Sequence, residues 1–311
     1  MSKYLIGLDD GHGMETAGKR TAPLKEDIKF RGKTFKKGSI IHENDFNENL
    51  MELVEKGLDR CGIGHVQLAP GDTDVSLANR VKTANAKKVD LVVSIHANAL
   101  SSDWQTKAYG LVVIHHVNCS TKAKTLAKNC YNRLSKEVKW YSNGATKYGV
   151  RADTDISGYS LYILKNTKAP AVLIEYGFMD NWEDVKMMCS DKFQKDCAEA
   201  TVKGICETLG VTYKAPSKAP SSSGTSSTNT SSTQTTGTTY YRVVAGSFSK
   251  KSNADSLVAE LEKKGYSPFI AKYDSFYRVV VASYSKKSNA EAMVKELKSK
   301  GYSPFIDIYK K

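Results

Sequence analysis

The chain has 311 residues, of which 40% are hydrophobic and 25% charged, and it carries a formal net charge of +13 at pH 7. These proportions are those of an ordinary globular protein, and no apolar run approaches the length of a membrane-spanning helix. The six cysteines form no C-x-x-C pair, which argues against a cysteine-ligated zinc site and a disulfide framework.

The chain begins with MSKYLIGLDDGHG, which has the pattern of the first strand of a domain. This segment lacks the apolar core and the small-residue cleavage site of a secretory signal peptide. We therefore expect the protein to be synthesised in the cytoplasm without a signal peptide.

Residues 1–213 alternate apolar strands with amphipathic helices. This alternation predicts an α/β domain with a mostly parallel, twisted sheet that helices cover on both faces. The predicted strands are KYLIGLDD, GHVQLAP, VDLVVSIHANA, YGLVVIHHV and APAVLIEYGF. The clearest predicted helix is DFNENLMELVEKGLDRCG, in which apolar residues recur at helical spacing.

Residues 214–239 are rich in serine and threonine and predict a flexible linker. An internal repeat follows. The segment YRVVAGSFSKKSNADSLVAELEKKGYSPFI begins at Tyr241, and a closely similar copy begins at Tyr277. Each copy reads as strand, helix and short strand, so residues 240–311 predict a small α+β domain with the ferredoxin-like order β-α-β-β-α-β.

Three apolar strands of the first region end in residues that can bind a metal or transfer a proton. They end at His12, His96 and Glu175. Because the carboxyl ends of parallel strands meet at one edge of a sheet, these residues are expected to lie close together. Two histidines and a carboxylate form one class of catalytic zinc site. The spacing alone leaves the third ligand open among His42, Glu43, Glu15, Glu26 and Glu48.

The segments LDDGHG, HENDFN, DVSLANRVKTAN, VDLVVSIHANA and YGVRADTDISGYSLYILKNTKAPAVLIEYGFMDN are similar to those of a known family. In their order and spacing, residues 1–213 resemble the zinc-dependent N-acetylmuramoyl-L-alanine amidases of bacterial cell walls and their phages, the amidase-3 family. This resemblance implies that His12, Glu43 and His96 hold Zn²⁺ and that Glu175 is the catalytic carboxylate. It also implies hydrolysis of the amide bond between N-acetylmuramic acid and the L-alanine of the peptidoglycan stem peptide.

Other residues of this region have weaker signals. Arg151 lies in a matching segment and is a candidate contact for substrate carboxylates, and one of Asp9 and Asp10 is a candidate partner for a ligand ring. Adjacent strand residues face opposite sides, so His115 and His116 cannot both enter one site. The loop GHGMETAGKR departs from the family pattern, which has a second glycine and an aspartate there.

The repeat of residues 240–311 resembles the SPOR domain, and this implies binding to peptidoglycan glycan strands that lack stem peptides. Val244 and Val280 stand where that family often has glutamine. Strict strand alternation would place four residues on the open face of the sheet, where the aromatic rings would stack on sugars and the arginines would pair with carboxylates. These candidate glycan contacts are Arg242, Phe248, Arg278 and Tyr284.

Two other functions compete with a peptidoglycan amidase. Another zinc cell-wall peptidase, an endopeptidase or a carboxypeptidase, would use the same metal chemistry. An RNA-binding tail would share the β-α-β-β-α-β order, but the chain lacks the RRM signature, so no nucleic-acid partner is expected. We expect action on the cell wall after lysis or release. The choice between a prophage lysin and a host enzyme of mother-cell lysis stays open.

Overall fold

The computed structural model describes residues 2–70, 74–216, 239–266, 268–273, 276–284 and 287–310. It contains two compact units, residues 1–219 and residues 220–311. Most of the predicted linker, residues 217–238, lies outside the described residues. Within the described ranges, no helix has the length and apolar character needed to cross a membrane.

The first unit alternates strands and helices, as the sequence pattern predicts. Its elements in chain order are β1 (Leu5–Asp9), β2 (Ile28–Phe30), β3 (Lys33–Phe35), α1 (Glu43–Cys61), β4 (Gly64–Gln67), α2 (Leu77–Lys87), β5 (Leu91–Asn98), β6 (Leu111–His115), α3 (Thr121–Glu137), β7 (Gly149–Ala152), α4 (Asp153–Ser157), α5 (Tyr162–Asn166), β8 (Ala171–Phe178), α6 (Trp182–Met188) and α7 (Asp191–Leu209).

Six of these strands form the central sheet, in the order β4-β1-β5-β8-β6-β7. Strands β4, β1, β5 and β8 are mutually parallel, so their carboxyl ends share one edge of the sheet. Strand β6 pairs with β8 in the antiparallel sense, and β7 is parallel to β6. The predicted mostly parallel sheet is confirmed, and β6 and β7 are the part that runs the other way.

Each face of this sheet has its own apolar core. One core lies under α1, α3 and α7, and the other lies under α2 and α5. Helix α1 shows why the pattern predicted a buried face. Its apolar stripe packs into the first core, with Leu53 partly buried and the other members buried: Phe46, Leu50, Val54, Leu58 and Cys61. Helical spacing thus anchors α1 against the sheet and fixes the position of its first residue.

The second unit contains β9 (Thr239–Phe248), α8 (Lys251–Lys263), β10 (Phe269–Tyr273), β11 (Phe276–Tyr284), α9 (Lys287–Ser299) and β12 (Phe305–Lys310). The sheet order is β10-β11-β9-β12, and all neighbours are antiparallel. Residues of both helices join the core on one face of this sheet, which includes Val243, Val279, Ala254 and Ala290. The predicted ferredoxin-like order is confirmed.

The predicted position of Phe248 and Tyr284 on the open face of this sheet is wrong. The pairing of β9 with β11 shifts register on both sides of Val280, which marks irregularities in both strands. Such a bulge inserts one residue and exchanges the two faces beyond it. Phe248 therefore pairs with Tyr277, and the rings of Phe248 and Tyr284 pack against the core on the helix side.

Candidate metal centre

A sharp turn after β1 positions the first predicted ligand, His12. Gly11 and His12 both have positive φ angles, of 43° and 52°, in the left-handed region that non-glycine residues seldom occupy. A Cβ atom on Gly11 would lie 2.3 Å from Cε1 of His96. The turn therefore needs glycine at position 11, and it brings the rings of His12 and His96 edge to face with centroids 5.2 Å apart.

Glu43, the first residue of α1, lies between the two histidines. Its side chain is 1% exposed, Oε1 lies 3.0 Å from His96 Nδ1, and Oε2 lies 3.7 Å from His12 Nε2. The backbone amide of Ala97 and the side-chain amide of Asn47 donate hydrogen bonds to Oε1, at 3.2 and 3.3 Å. Helix α1 thus delivers a fixed carboxylate to the strand-end histidines.

These three side chains form a cluster that can hold a metal ion. One ligand atom from each of His12, Glu43 and His96 lies within 4.8 Å of the others, and no other group of this kind occurs in the described ranges. Glu43 Oε2 is buried and accepts no hydrogen bond from any residue that the structure describes. Two imidazoles and a buried carboxylate are a donor set that suits zinc and leaves a position for water or substrate.

The electrostatics of the cluster keep two of the candidate ligands in the forms that can bind a metal ion. Burial lowers the pKa of His12 to about 4, so its imidazole is neutral at pH 7. Burial alone would raise the pKa of Glu43, but the hydrogen bond with His96 and the nearby charges lower it to about 2. A neutral imidazole and an ionised carboxylate are the forms that bind a cation.

Glu175 lies next to the cluster without belonging to it. It is the register partner of His96 in the β5–β8 pair, and its Oε2 is buried with no hydrogen-bond partner among the described residues. Burial raises the pKa of Glu175 to about 7, and the nearby charge of His96 lowers it only in part. A carboxyl group with this pKa is suited to accept and return a proton near neutral pH.

A buried network of charges supports the histidines from behind. Arg80 donates hydrogen bonds of 2.6 Å to Asp9 Oδ1 and to Asp74 Oδ1. Asp9 Oδ2 accepts a hydrogen bond from Ser94 and lies 4.0 Å from His96 Nε2. Asp74 Oδ2 accepts a hydrogen bond of 2.6 Å from Thr16, in the loop after His12. Asp9 is therefore the carboxylate that faces the ring of His96, at ion-pair distance and not at hydrogen-bond distance. Neither oxygen of the buried Asp10 accepts a hydrogen bond from a described residue.

The remaining candidates for the third ligand lie elsewhere. Glu15 accepts a hydrogen bond from the backbone of Asp74, Glu48 pairs with Arg31, and Glu26 is exposed. His42 precedes α1, and its backbone amide donates to Asp45. The choice of Glu43 depended on the family resemblance, and the geometry is consistent with it.

The other histidines have structural partners. His65 lies between Glu55 and Asp59, at 3.2 and 3.4 Å. His115 and His116 come at the end of β6, which runs antiparallel to β8, so they lie towards the opposite edge of the sheet from His96. His116 pairs with the buried Asp153 at 2.8 Å.

Arg151 lies on the edge strand β7, with an exposed side chain. Its register partner is Ile114, which belongs to the same core as Leu173. Arg151 therefore shares a face of the sheet with Glu175. Across the sheet it lies level with Leu173, two residues before Glu175 in β8. Local sequence pattern did not single out two further charged residues near the histidines. Lys19 lies in the loop after β1, and Arg80 lies in the first turn of α2 and reaches Asp9 through its side chain.

Comparison with known proteins agrees with this geometry. Residues 6–207 match the family described as N-acetylmuramoyl-L-alanine amidase (Amidase_3), and residues 237–307 match the SPOR domain. The chain is 31% identical to an endolysin of Bacillus phage SPP1 over 221 residues, which cover 71% of each protein.

Solved structures show the same fold in the first unit. An N-acetylmuramoyl-L-alanine amidase of Clostridium difficile 630 superimposes with a TM-score of 0.55 at 24% identity, over 68% of this chain and 98% of that one. The amidase AmiC2 of Nostoc punctiforme gives a TM-score of 0.53 at 26% identity, over 67% of this chain and 98% of that one. His12, Glu43, His96 and Glu175 all lie within residues 6–207.

Proposed function

The chain belongs to the N-acetylmuramoyl-L-alanine amidase family (Amidase_3), and from this we propose that it hydrolyses peptidoglycan at the amide bond between N-acetylmuramic acid and L-alanine. The observation that carries the proposal is the cluster of His12, Glu43 and His96 beside Glu175. Residues 1–213 would form the catalytic domain, residues 214–239 a linker, and residues 240–311 a glycan-binding domain.

In this proposal, His12, Glu43 and His96 hold a zinc ion. Bound zinc supplies an activated water molecule at neutral pH and polarises the carbonyl group of the amide. The chain supplies the fixed geometry, because Gly11 holds the ring of His96 against the turn and α1 holds the carboxylate of Glu43.

Glu175 would move the proton of the reaction. It would take a proton from the attacking water and deliver it to the alanine nitrogen as the carbon–nitrogen bond breaks. Its position beside His96 and its pKa of about 7 support both roles, because the carboxylate is available to accept the proton and basic enough to hold it. Arg151 is a candidate contact for a substrate carboxylate, since it shares a face of the sheet with Glu175.

The second unit would bind the glycan strands that the first unit produces. On the sheet face away from α8 and α9, Arg242 stacks on Tyr309 at 3.6 Å and Arg278 stacks on Tyr273 at 3.8 Å, measured to the ring centroids. Within the described ranges, Nε of each arginine makes no hydrogen bond, while another nitrogen of Arg278 donates one of 2.7 Å to Asp307. Loss of the stem peptide leaves a lactyl carboxylate on each muramic acid, which is a suitable partner for a guanidinium group.

Product analysis tests the activity. The purified full chain, incubated with cell walls, should release new N-terminal L-alanine, while the Glu175→Gln variant should release far less. A zinc endopeptidase would expose other amino termini, and a carboxypeptidase would release free terminal residues. Amino-terminal labelling followed by mass spectrometry distinguishes the three products.

A further inference from the structure

Lys19 is a cation at the metal centre for which the scheme above has no role. Its Nζ atom lies 3.8 Å from Glu43 Oε2, and its side chain is 40% exposed whereas that of Glu43 is 1% exposed. The lysine therefore extends from solvent to a buried ligand carboxylate. It lies in the loop GHGMETAGKR, where this chain departs from the family pattern.

The backbone fixes Lys19 in this place. The amide of Glu43 donates a hydrogen bond of 2.9 Å to the carbonyl oxygen of Lys19, and the amide of Thr21 donates one of 2.9 Å to Ile41. Arg20 and His42 form an antiparallel bridge between these two bonds. The segment around Lys19 thus pairs through its backbone with the residues just before α1. This pairing places Lys19 next to Glu43.

The charge of Lys19 acts on the reacting groups as well as on Glu43. Its positive charge lowers the pKa of His12, of Glu43 and of Glu175, in each case after larger effects that begin with burial. Arg80, the other cation near the histidines, already donates to Asp9, Asp74 and the carbonyl oxygen of Val75. Within the described ranges, the ion pair of Lys19 is the one with Glu43.

We propose that Lys19 is a further catalytic residue whose ammonium group contacts the oxygen of the scissile amide carbonyl and stabilises the negative charge that develops there. This inference rests on the proposed amidase activity. When Glu43 binds a metal ion, the negative charge of Glu43 is shared with that ion. The negative charge that then develops nearest to Lys19 is the one on the carbonyl oxygen of the substrate. Lysine suits this role because its ammonium is a compact charge on a flexible stem.

The step balances without a change in the charge of Lys19. The water oxygen forms a bond to the carbonyl carbon, the electrons of the carbon–oxygen double bond move to the oxygen, and Glu175 takes the water proton. The electrons then return, the carbon–nitrogen bond breaks, and Glu175 gives its proton to the alanine nitrogen. Lys19 keeps all its protons and acts only through its field and its hydrogen bond.

Kinetics with a soluble muramoyl-peptide separate this role from a purely structural one. Removing one donor to such an oxygen lowers kcat by about 10²- to 10³-fold in known cases. Lys19→Met should therefore lower kcat by about 10²-fold with KM changed little, and Lys19→Arg should recover part of the loss. Lys29→Met, which removes an exposed lysine of β2, is the matched control and should keep the wild-type kcat.

Zinc content gives the second readout. Lys19→Met should retain zinc as tightly as the wild-type chain or more tightly, because the variant lacks a positive charge beside the ion. A Lys19→Met variant with wild-type kcat would overturn the proposal. So would a loss of kcat accompanied by loss of zinc, because Lys19 would then only position Glu43. If the wild-type chain itself released no N-terminal L-alanine, the amidase proposal would fail, and the role of Lys19 with it.

Discussion

Arg80 donates a hydrogen bond of 2.6 Å to Asp9 Oδ1, and both side chains are buried. The other oxygen of Asp9 lies 4.0 Å from Nε2 of His96, while Nδ1 of that ring lies 3.0 Å from Glu43. A carboxylate behind a ligand imidazole orients the ring and raises its basicity, and Arg80 in turn fixes that carboxylate. The candidate metal centre therefore also depends on Asp9 and Arg80, which are not among its candidate ligands.

The first prediction concerns this support. Asp9→Asn keeps the shape of the side chain but removes the charge behind His96. Loss of such a partner costs about 10- to 100-fold in metal affinity in known sites, and we expect a similar loss here. Competition titration with a chromophoric zinc chelator measures it. Arg133→Met, which breaks surface ion pairs with Glu137 and Glu207, is the control, and equal affinities in the two variants would contradict the prediction.

The second prediction concerns the ligand set. His12→Ala, Glu43→Gln and His96→Ala should each lose most bound zinc on dialysis, because two remaining ligands hold zinc weakly. His65→Ala is a matched control, since His65 also lies between carboxylates but belongs to a surface pair on α1 and β4. Elemental analysis gives the zinc per chain. A variant of His12, Glu43 or His96 with full zinc would remove that residue from the set.

The third prediction uses two glycines that share a backbone conformation. Gly11 and Gly18 both have positive φ, of 43° and 78°, so alanine is strained at either position. A Cβ atom at Gly11 would lie 2.3 Å from His96, whereas one at Gly18 would meet no atom of a described residue within 4 Å. Gly11→Ala should therefore weaken zinc binding, while Gly18→Ala should cost only a modest loss of stability.

Zinc titration and thermal unfolding of the two glycine variants separate these effects. If Gly11→Ala and Gly18→Ala lower the melting temperature alike and leave zinc affinity unchanged, the ring of His96 tolerates displacement. The role assigned to Gly11 would then be wrong.

Strand ends were the part of this site that the sequence could reveal. His12, His96 and Glu175 each follow an apolar run, and parallel strands bring such ends to one edge of a sheet. Glu43 has no such signal, because it opens a helix after a long loop, and the family resemblance was needed to choose it. Lys19 and Arg80 were missed because contacts between distant parts of the chain, and not a local period, bring them to the centre. A backbone hydrogen bond joins the loop of Lys19 to Glu43, and a side-chain hydrogen bond joins Arg80 of α2 to Asp9.

One detail that the sequence left open and one wrong prediction have equally local causes. A buried strand has the same apolar pattern in either direction, so the sequence could not show that β6 and β7 run antiparallel to β8. Strand alternation placed Phe248 and Tyr284 on the wrong face, because the irregularity around Val280 adds a residue that a period of two does not record. Because Phe248 and Tyr284 occupy equivalent positions of the two repeats, the wrong face was predicted for both.

The fourth prediction concerns pH. Burial raises the pKa of Glu175 to about 7, and below this pKa the carboxyl group is protonated and cannot accept a proton. The value of kcat/KM should therefore fall as pH decreases, with a midpoint at or below pH 7, because a bound dication lowers the pKa further. Glu175→Gln should cut the rate by about 10²- to 10⁴-fold and abolish this limb of the profile.

The measurement is a pH–rate profile with zinc content determined at each pH. Glu183→Gln, at an exposed glutamate near the start of α6, is the control and should keep the acid limb. An unchanged limb in Glu175→Gln would assign it to another group. Loss of zinc from that variant would instead make Glu175 a metal ligand.

The last prediction concerns the face of the second unit that carries Arg242 and Arg278. If these arginines bind lactyl carboxylates, Arg242→Ala with Arg278→Ala should weaken binding to stem-peptide-free walls by at least about tenfold, since a hydrogen bond to a charged group contributes about 1.5–3 kcal/mol. The full chain with Glu175→Gln is used, so that the walls are not digested, and binding is measured by sedimentation with untreated and amidase-treated walls. Lys264→Ala with Lys300→Ala removes the same charge from the side of the helices, where these lysines lie over Tyr302 and Tyr266. Equal losses in the two double variants would show that net charge, and not the arginine-bearing face, holds the wall.

Phe248→Ala tests the corrected position of the Phe248 ring. Because this ring packs against the core, its removal should lower the thermal stability of the second unit, while the folded variant should bind the wall as the parent chain does. Weaker wall binding by a variant of unchanged stability would return the ring to the open face.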